Sequence, residues 1–519
     1  MNNEDHDLFK ATRQDALVLF LIVGLVIATA IMLPMGFTGT DDYRYLLAAE
    51  RWITEGVHTG ENHWANRLPY VLMLVASFSL FGITTASMIV VNSTLFIVCC
   101  FAAWKIGQHA FEDETAGLLG VLVILFTPLL MRQPTYFYPE VSEVAFLTTT
   151  VLLVLTRLRW SARKRLYILL IAGFCGGLAM LVRQTAVAVP AALALVMLLL
   201  TPSEPLVKRI RDIAVLAGGF AIPIAAECVF YLLMTGNPLH RFEIDSSHVK
   251  IASRLKGKET IDTDNVLFNW ELASRWERDA LFPTHWTITP FARLYFSAGL
   301  LLLPWIALVG SYFAWKRGGG ARNLVYLTAL IILLQYILNT FVIVLPPNTR
   351  YFGVGLILLG MLAGYALHRI KSLSWRLMTL IALFAAPALL VLALQPRFAV
   401  MNDQLVQLIK KVGEPVYLPG PMPKYTALLR RENPEVRSLM RIGKPPVGGL
   451  MAIMGPAVPS MGAGKCRDGE PTRVVMTSAP RSLIYEGIKI LGIPPVAPKK
   501  VVELISHEKM RVTIYRRVC

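Results

Sequence analysis

Long apolar runs, separated by short charged or proline-bearing stretches, fill the first 395 residues, and their length sets the kind of element they form. A helix needs about 20 predominantly apolar residues to cross a bilayer. Such runs occur at Ala16 to Phe37 and then near 86–105, 116–133, 144–156, 166–184, 186–200, 213–235, 293–315, 323–345, 353–368 and 377–395, which predicts about eleven transmembrane helices. The first run lacks a small-residue cleavage site and continues straight into the protein, so it reads as a retained anchor. The stretch 68–82, LPYVLMLVASFSLFG, is only fifteen residues long and suits an interfacial or re-entrant segment better than a crossing.

Basic residues check this count, because Lys and Arg accumulate in cytoplasmic loops. With the N-terminus inside and 68–82 not crossing, the inner loops hold Arg157, Arg159, Arg163, Lys164 and Arg165, then Lys208, Arg209 and Arg211, then Lys316, Arg317 and Arg322, then Arg369, Lys371 and Arg376. The short outer connections hold single arginines, Arg132, Arg183 and Arg350. Loop 106–115 fits least well, since Glu112, Asp113 and Glu114 outnumber Lys105, but acidic residues contribute little to the rule. The same parity puts outside the loops at about 38–85, 134–143, 236–292 (with Trp270, Trp276 and Trp286) and 345–352, and everything from 396 to 519. That tail has Pro and Gly punctuation, β-like runs (RVVMTSA, MRVTIYRRV) and helical stretches (DQLVQLIKKV, PRSLIYEGIKIL), and reads as a small α/β domain. The fold class is therefore an all-α polytopic membrane module, 1–395, followed by a small extracytoplasmic α/β domain, 396–519.

Charge refines the picture. The chain carries 51 Lys and Arg against 34 Asp and Glu, a net +17, on a background that is 55% hydrophobic and only 16% charged. Too few charges are spread over most of the chain to present a basic face to nucleic acid. From Pro396 onward there are 20 Lys and Arg against 9 Asp and Glu, a net +11, which leaves +6 for the membrane part, where inner loops carry the excess. A basic extracytoplasmic domain suits anionic headgroups or glycans, so the tail is expected to present an anionic acceptor or rest on the outer leaflet. Of the six cysteines, Cys99, Cys100, Cys175 and Cys228 lie in apolar runs, and Cys466 and Cys519 are the one pair that could form a disulfide outside the cytoplasm. No CxxC or HExxH metal spacing occurs.

Charges close to a bilayer are costly and tend to be functional. Asp41 and Asp42, directly after the first span, could supply a general base for a hydroxyl and a partner that orients substrate or holds a cation; they could equally cap and charge the start of the helix YRYLLAAERWI. Glu140 and Glu143, at i and i+3, share a face if Pro139 begins a helix, and capping is again the structural alternative. Arg183 and Arg350 sit at outer ends of spans, where a guanidinium can grip phosphate or snorkel to headgroups. Glu227, well inside a span, needs a partner that the sequence does not name. His58, Glu61 and His63 are metal-capable but more simply surface residues.

These residues carry a resemblance. Asp41-Asp42-Tyr43-Arg44-Tyr45 is similar to the Asp-Glu-x-Arg-Tyr motif in the first extracytoplasmic loop of the GT-C glycosyltransferases, in the branch with protein O-mannosyltransferases and lipid A aminoarabinose transferases. Leu68-Pro69-Tyr70 through Leu80-Phe81-Gly82 resembles the family's amphipathic surface stretch, Thr135 to Glu140 the segment with its second acidic residue, Ala172-Gly173 through Thr185-Ala186 its Gly-rich helix with a terminal basic residue, and Asn348 to Phe352 its Arg-Tyr element. In the aminoarabinose transferases a Glu-Lys pair precedes the Pro-containing stretch and the Glu helps bind a metal; here Asn66-Arg67 stand in its place. The resemblance implies inverting transfer of a sugar from a polyprenyl-phosphate donor to an extracytoplasmic lipid, glycan or protein, at a multi-pass plasma (bacterial inner) membrane with the active site and tail outside.

It further implies Asp41 as base, Asp42 and Glu140 beside it, Arg183, Arg350 and Arg44 toward the donor phosphate, and Tyr45, Arg67, Glu143 and Tyr351 lining the substrate loops. A divalent metal, with Asp42, Glu140 and His63 as ligands, is left open, and no other cofactor is called for. The competing class is a transporter or flippase for lipid-linked sugars, which predicts repeat symmetry and polar groups through the midplane; the candidate groups instead cluster on one side.

Overall fold

A computed structural model describes residues 13–32, 36–37, 41–199, 204–245, 294–295, 297, 299–342, 349–389, 398–418, 426–442, 446–454, 472–478 and 512–517. The helices that position the site are α1 (Arg13–Met32), α2 (Asp41–Thr54), α3 (Leu68–Phe81), α4 (Thr85–Phe111), α5 (Glu114–Leu125), α6 (Pro128–Met131), α7 (Glu140–Thr156), α8 (Ala162–Val182), α9 (Ala188–Leu199), α10 (Leu206–Thr235), α11 (Leu303–Arg317), α12 (Gly319–Ile337), α13 (Gly353–His368) and α14 (Leu373–Leu380).

Among the described residues seven helices are long and apolar enough to cross a membrane, starting at Arg13, Thr85, Glu140, Ala162, Leu206, Gly319 and Thr349. An eighth, Glu114–Leu125 with Pro128–Thr135, is bent by 75°. The bend follows from local chemistry: the Thr127 hydroxyl bonds back to the Val123 carbonyl, and Pro128 cannot continue the ladder. Among the described residues the other three apolar runs form helices as well, at Gln184–Leu199, Leu303–Arg317 and Leu373–Leu389. A run of apolar residues thus forecasts a helix here more securely than a full crossing.

Buried ion pairs fix which helix ends share a level. Lys105 Nζ, at the end of α4, donates to Asp15 Oδ1 at the start of α1 at 2.5 Å, both side chains being buried. So α1 and α4 run antiparallel, and α3 between them adds no crossing. The same end gathers Glu112 with Arg317 (3.6 Å), Asp113 with His368 (3.4 Å) and Phe111 stacked on Tyr365. Farther round, Arg165 clamps Glu204 and Asp212, tying the starts of α8 and α10. All four basic loops named above adjoin this end.

The helix α13 is the centre of the bundle, with every residue from Gly353 to Tyr365 buried. It can be central because its small residues admit neighbours: a Cβ on Gly364 would meet the Gly120 backbone of α5, and α11 approaches through Gly310 to the Leu362 carbonyl. Helices α8 and α10 interlock likewise, Gly173 against Leu216 and Gly219 against Leu170. Helices α1 and α10, by contrast, expose Phe20, Ile31, Val207, Val229 and Leu233, the outward apolar surface that lipid would cover.

In the tail, α15 (Phe398–Val412) packs on a mixed sheet of β1 (Val416–Leu418), β2 (Met440–Ile442), β3 (Leu450–Met454), β4 (Thr472–Ser478) and β5 (Val512–Arg517), in the order β2-β1-β3-β5-β4. Strand β1 is parallel to both β2 and β3, while β5 is antiparallel to β3 and β4. The two β-like runs of the sequence are β4 and β5. The second helical stretch, 480–491, the outer loop beyond Asp245, and Cys466 with Cys519 lie outside the described residues.

Candidate active site

At the end of the bundle opposite the basic loops, the starts of α2, α7 and α13 meet the end of α8. Glu140 is the first residue of α7, with Pro139 at the N-cap rather than in the helix, and is buried. Its Oε1 receives Arg183 Nη2 at 2.8 Å and lies 3.4 Å from Arg350 Nε, so one carboxylate oxygen joins two cations from distant parts of the chain. Glu143, one turn on, meets Arg183 Nη1 at 3.4 Å. Both guanidinium groups also lie over the Tyr351 ring, at 4.6 Å and 5.4 Å, and Arg350 lies over Tyr138. Arg183 is held because α8 ends at Val182 and the chain turns through Gln184–Val187 before α9.

The α2 side joins this cluster through aromatic residues. Arg67 Nη1 donates to the Tyr45 hydroxyl at 2.5 Å, and Tyr45 packs edge-on against Tyr70. Burial pushes the Tyr45 phenol well above the usual phenol range, with Arg67 opposing and Glu140 and Asp41 adding to the shift, so it stays protonated. Tyr70 is raised by burial too, and its hydroxyl donates to Asn92 Oδ1 at 3.1 Å. Asn92 Nδ2 in turn donates to the Tyr136 carbonyl at 2.8 Å, Tyr136 stacks on Tyr138, and Arg132 lies over Tyr136 at 4.7 Å. Four arginines, Arg67, Arg132, Arg183 and Arg350, therefore surround two glutamates.

Asp41 and Asp42 begin α2, the position that favours an acidic residue by the helix dipole. Asp42 is fully buried, its Oδ1 accepting from the Tyr43 backbone N–H at 2.9 Å; Asp41 is half-buried. Arg44 lies apart from the phosphate candidates, over the Trp64 ring at 4.7 Å, and His63 stacks against Trp64. Among the described residues no group of three His, Cys, Asp or Glu is placed to hold a metal ion. Asp42, Glu140 and His63 do not come together as such a group, so this set does not fit a metal.

A narrow crevice ends at this cluster, between α4, α6, α7 and α13. Its walls are mostly apolar, with Phe96, Leu129, Val144, Leu356 and Ile357, and its polar lining is Gln133, Glu140 and Arg350. Glu140 Oε2 and Gln133 Oε1 are buried there without hydrogen-bond partners, as is Arg132 Nε, next in sequence to Gln133. Unpartnered polar atoms at the head of an apolar crevice suit a ligand with a polar head and a hydrocarbon body.

Sequence reasoning missed Arg132, Tyr70 and Asn92 as members of the cluster. Asn92 carried a readable signal, as a lone amide in an apolar run. It also left Glu227 without a partner, which is Arg241: one guanidinium nitrogen lies 2.9 Å and 3.1 Å from the two carboxylate oxygens. Asn66, where the aminoarabinose transferases have Glu, is fully buried and structural; it bonds both backbone groups of Gly60 and accepts from Tyr231 at 2.9 Å.

Comparison with known proteins bears on the fold and on part of the sequence. Residues 60–231 match the family described as dolichyl-phosphate-mannose-protein mannosyltransferase. Among solved structures, the crystal structure of ArnT from Cupriavidus metallidurans bound to undecaprenyl phosphate superposes with a TM-score of 0.52 at 14% identity, covering 97% of this chain and 98% of that one. The apo form of the same protein gives 0.53 at 13% identity, covering 98% and 99%. No curated protein matches the sequence. The fold over the whole chain is thus like that of ArnT, and residues 60–231 match a mannosyltransferase family model.

Proposed function

We propose that this chain moves a sugar from a polyprenyl-phosphate carrier to a hydroxyl-bearing acceptor, with inversion at the anomeric carbon and Asp41 as general base. The observation that carries the reading is the pair of arginines, Arg183 and Arg350, gathered on Glu140 at the head of an apolar crevice: the arginines suit a phosphate, and the crevice walls suit the start of an apolar tail. That ArnT was crystallised with undecaprenyl phosphate supports the same donor class.

The chemistry follows from charge. The acceptor oxygen forms its bond to the anomeric carbon as the bond from that carbon to the phosphate oxygen breaks, and the electron pair leaves with polyprenyl phosphate. Arg183 and Arg350, preset by Glu140 and Glu143, offset charge building on that phosphate without reorganising. Asp41 takes the acceptor proton; it is half-buried rather than sealed in, and no arginine pairs with it among the ion pairs of the described residues. Asp42, buried at the same helix start, fixes the first turn of α2. The single-sided cluster suits surface chemistry better than a midplane transport path.

Orientation rests on the four basic loops at the far end, which the positive-inside rule assigns to the cytoplasm, so the site and tail face outward. Asp41→Asn is expected to lower the rate of sugar transfer by about 10²–10⁴-fold with donor binding retained, the usual worth of general-base catalysis. Transfer by Asp41→Asn at the wild-type rate removes Asp41 from the base role.

A further inference from the structure

The basic tail reaches the membrane part through α16 (Ala427–Glu432), and what α16 grips is the helix that carries Asp41. Arg431 Nη2 donates to both oxygens of Glu50, at 2.6 Å and 2.5 Å, and Glu50 lies on α2 nine residues beyond Asp41. Glu432 Oε1 accepts from the Thr85 backbone N–H at 2.6 Å, at the first residue of α4. Ala427 and Leu428 are buried in the same apolar core as Tyr45 and Leu46 of α2, whereas the neighbouring Leu429 belongs to the core of the tail. Arg430 lies close enough to Tyr43 to interact with it electrostatically. A six-residue helix thus touches α2 at two levels, near Tyr43 and at Glu50, and pins the helix that follows α3.

From this we infer that the tail is a positioning element for the proposed base: α16 holds α2 in place, and through α2 it sets Asp41 against the arginine cluster. An isolated helix of fourteen residues is marginal in water, so α2 depends on what packs against it. Its inner face is supplied by the membrane part, with Tyr45, Leu46, Ala48 and Ala49 buried, and α16 adds the grip at Glu50. The arginines that meet Glu140 belong to other elements, the end of α8 and the start of α13, and do not depend on this contact. Disturbing the α16 grip should therefore move the base and leave the phosphate site.

The inference rests on the glycosyltransferase reading, and a charge exchange tests the two separately. Full-length E50R, R431E and the E50R/R431E double variant would be compared for sugar transfer, for affinity toward undecaprenyl phosphate, and for amide hydrogen exchange over residues 41–54. Each single variant should lose about tenfold or more in kcat, as small misplacements of a catalytic group do. Affinity for the lipid phosphate should stay within about twofold, the behaviour of distant, independent sites. Exchange in 41–54 should quicken in the single variants, and the double variant should recover both kcat and protection, because the pair is restored with reversed sign. Wild-type kcat and exchange in the single variants, loss of lipid affinity together with kcat, or failure of the double variant to recover would each overturn the positioning role. If the wild type transfers no sugar, the enzyme reading falls, and the exchange data alone still decide whether α16 holds α2.

Discussion

Glu227 shows how one residue's requirement becomes a fold constraint. A carboxylate inside an apolar helix must be paired, and α10 supplies the pair by ending at Gly236, whose φ of +73° turns the chain so that residues 239–245 fold back. Arg241 then reaches Glu227, and Asp245 accepts from Gln184, the residue after Arg183. Removing one partner of such a buried pair strands the other charge, so Arg241→Met should cost about 3–5 kcal/mol of stability, whereas replacing both partners, as Glu227→Gln with Arg241→Met, should cost much less. Thermal unfolding of the detergent-purified variants measures this; equal losses in the single and double variants would show that the pair is not what stabilises this turn. The sequence exposes the need of Glu227 but not its partner, because the partner, fourteen residues on, is brought back only by the reversal at Gly236. The same limit hid Asn92, whose two bonds join Tyr70 of α3 to the Tyr136 carbonyl in the loop before α7.

Among elements, helix identity was legible and helix length was not. Each apolar run forms a helix, yet the 114–135 run breaks at Thr127 and Pro128, and the run that ends at Arg317 begins its helix only at Leu303. Hydropathy counts apolar residues; it does not register where a hydroxyl or a proline diverts the backbone. Helix centrality was also hidden, since α13 and α1 are both apolar all round, and only the glycines distinguish them. Gly364 lets α13 meet α5 backbone to backbone, so Gly364→Ala should push the two apart and destabilise by about 1–3 kcal/mol, the cost of overpacking. Gly24 on α1 has nothing within 4 Å of an added Cβ, so Gly24→Ala should be tolerated or slightly stabilising through helix propensity. Measured side by side in one detergent, equal effects from the two substitutions would argue against α13 as the packed centre.

On the scale of the molecule, the net charge of +17 resolves into two placements. Part of it lines the end of the bundle where Asp15 meets Lys105, and part lies on the tail that grips α2. The sidedness of the loops was legible because Lys and Arg are read one loop at a time, and the short stretch 68–82 was the one ambiguous element. The Asp15–Lys105 pair resolves it: had α3 crossed, the end of α4 would lie a bilayer's thickness from the start of α1, about 30 Å away. That reading fixes a labelling experiment. In a background with Cys466 and Cys519 changed to Ser, a cysteine replacing exposed Glu61 should react with a membrane-impermeant maleimide added outside intact cells. A cysteine replacing Ser372, exposed in a basic loop, should react only after permeabilisation. The reverse pattern would turn the whole site toward the cytoplasm and remove lipid-linked donors of the outer leaflet from consideration. Labelling of both positions from one side would mean that α3 crosses after all, and with it would fall the grouping of Asp41, Glu140, Arg183 and Arg350 at a single membrane face.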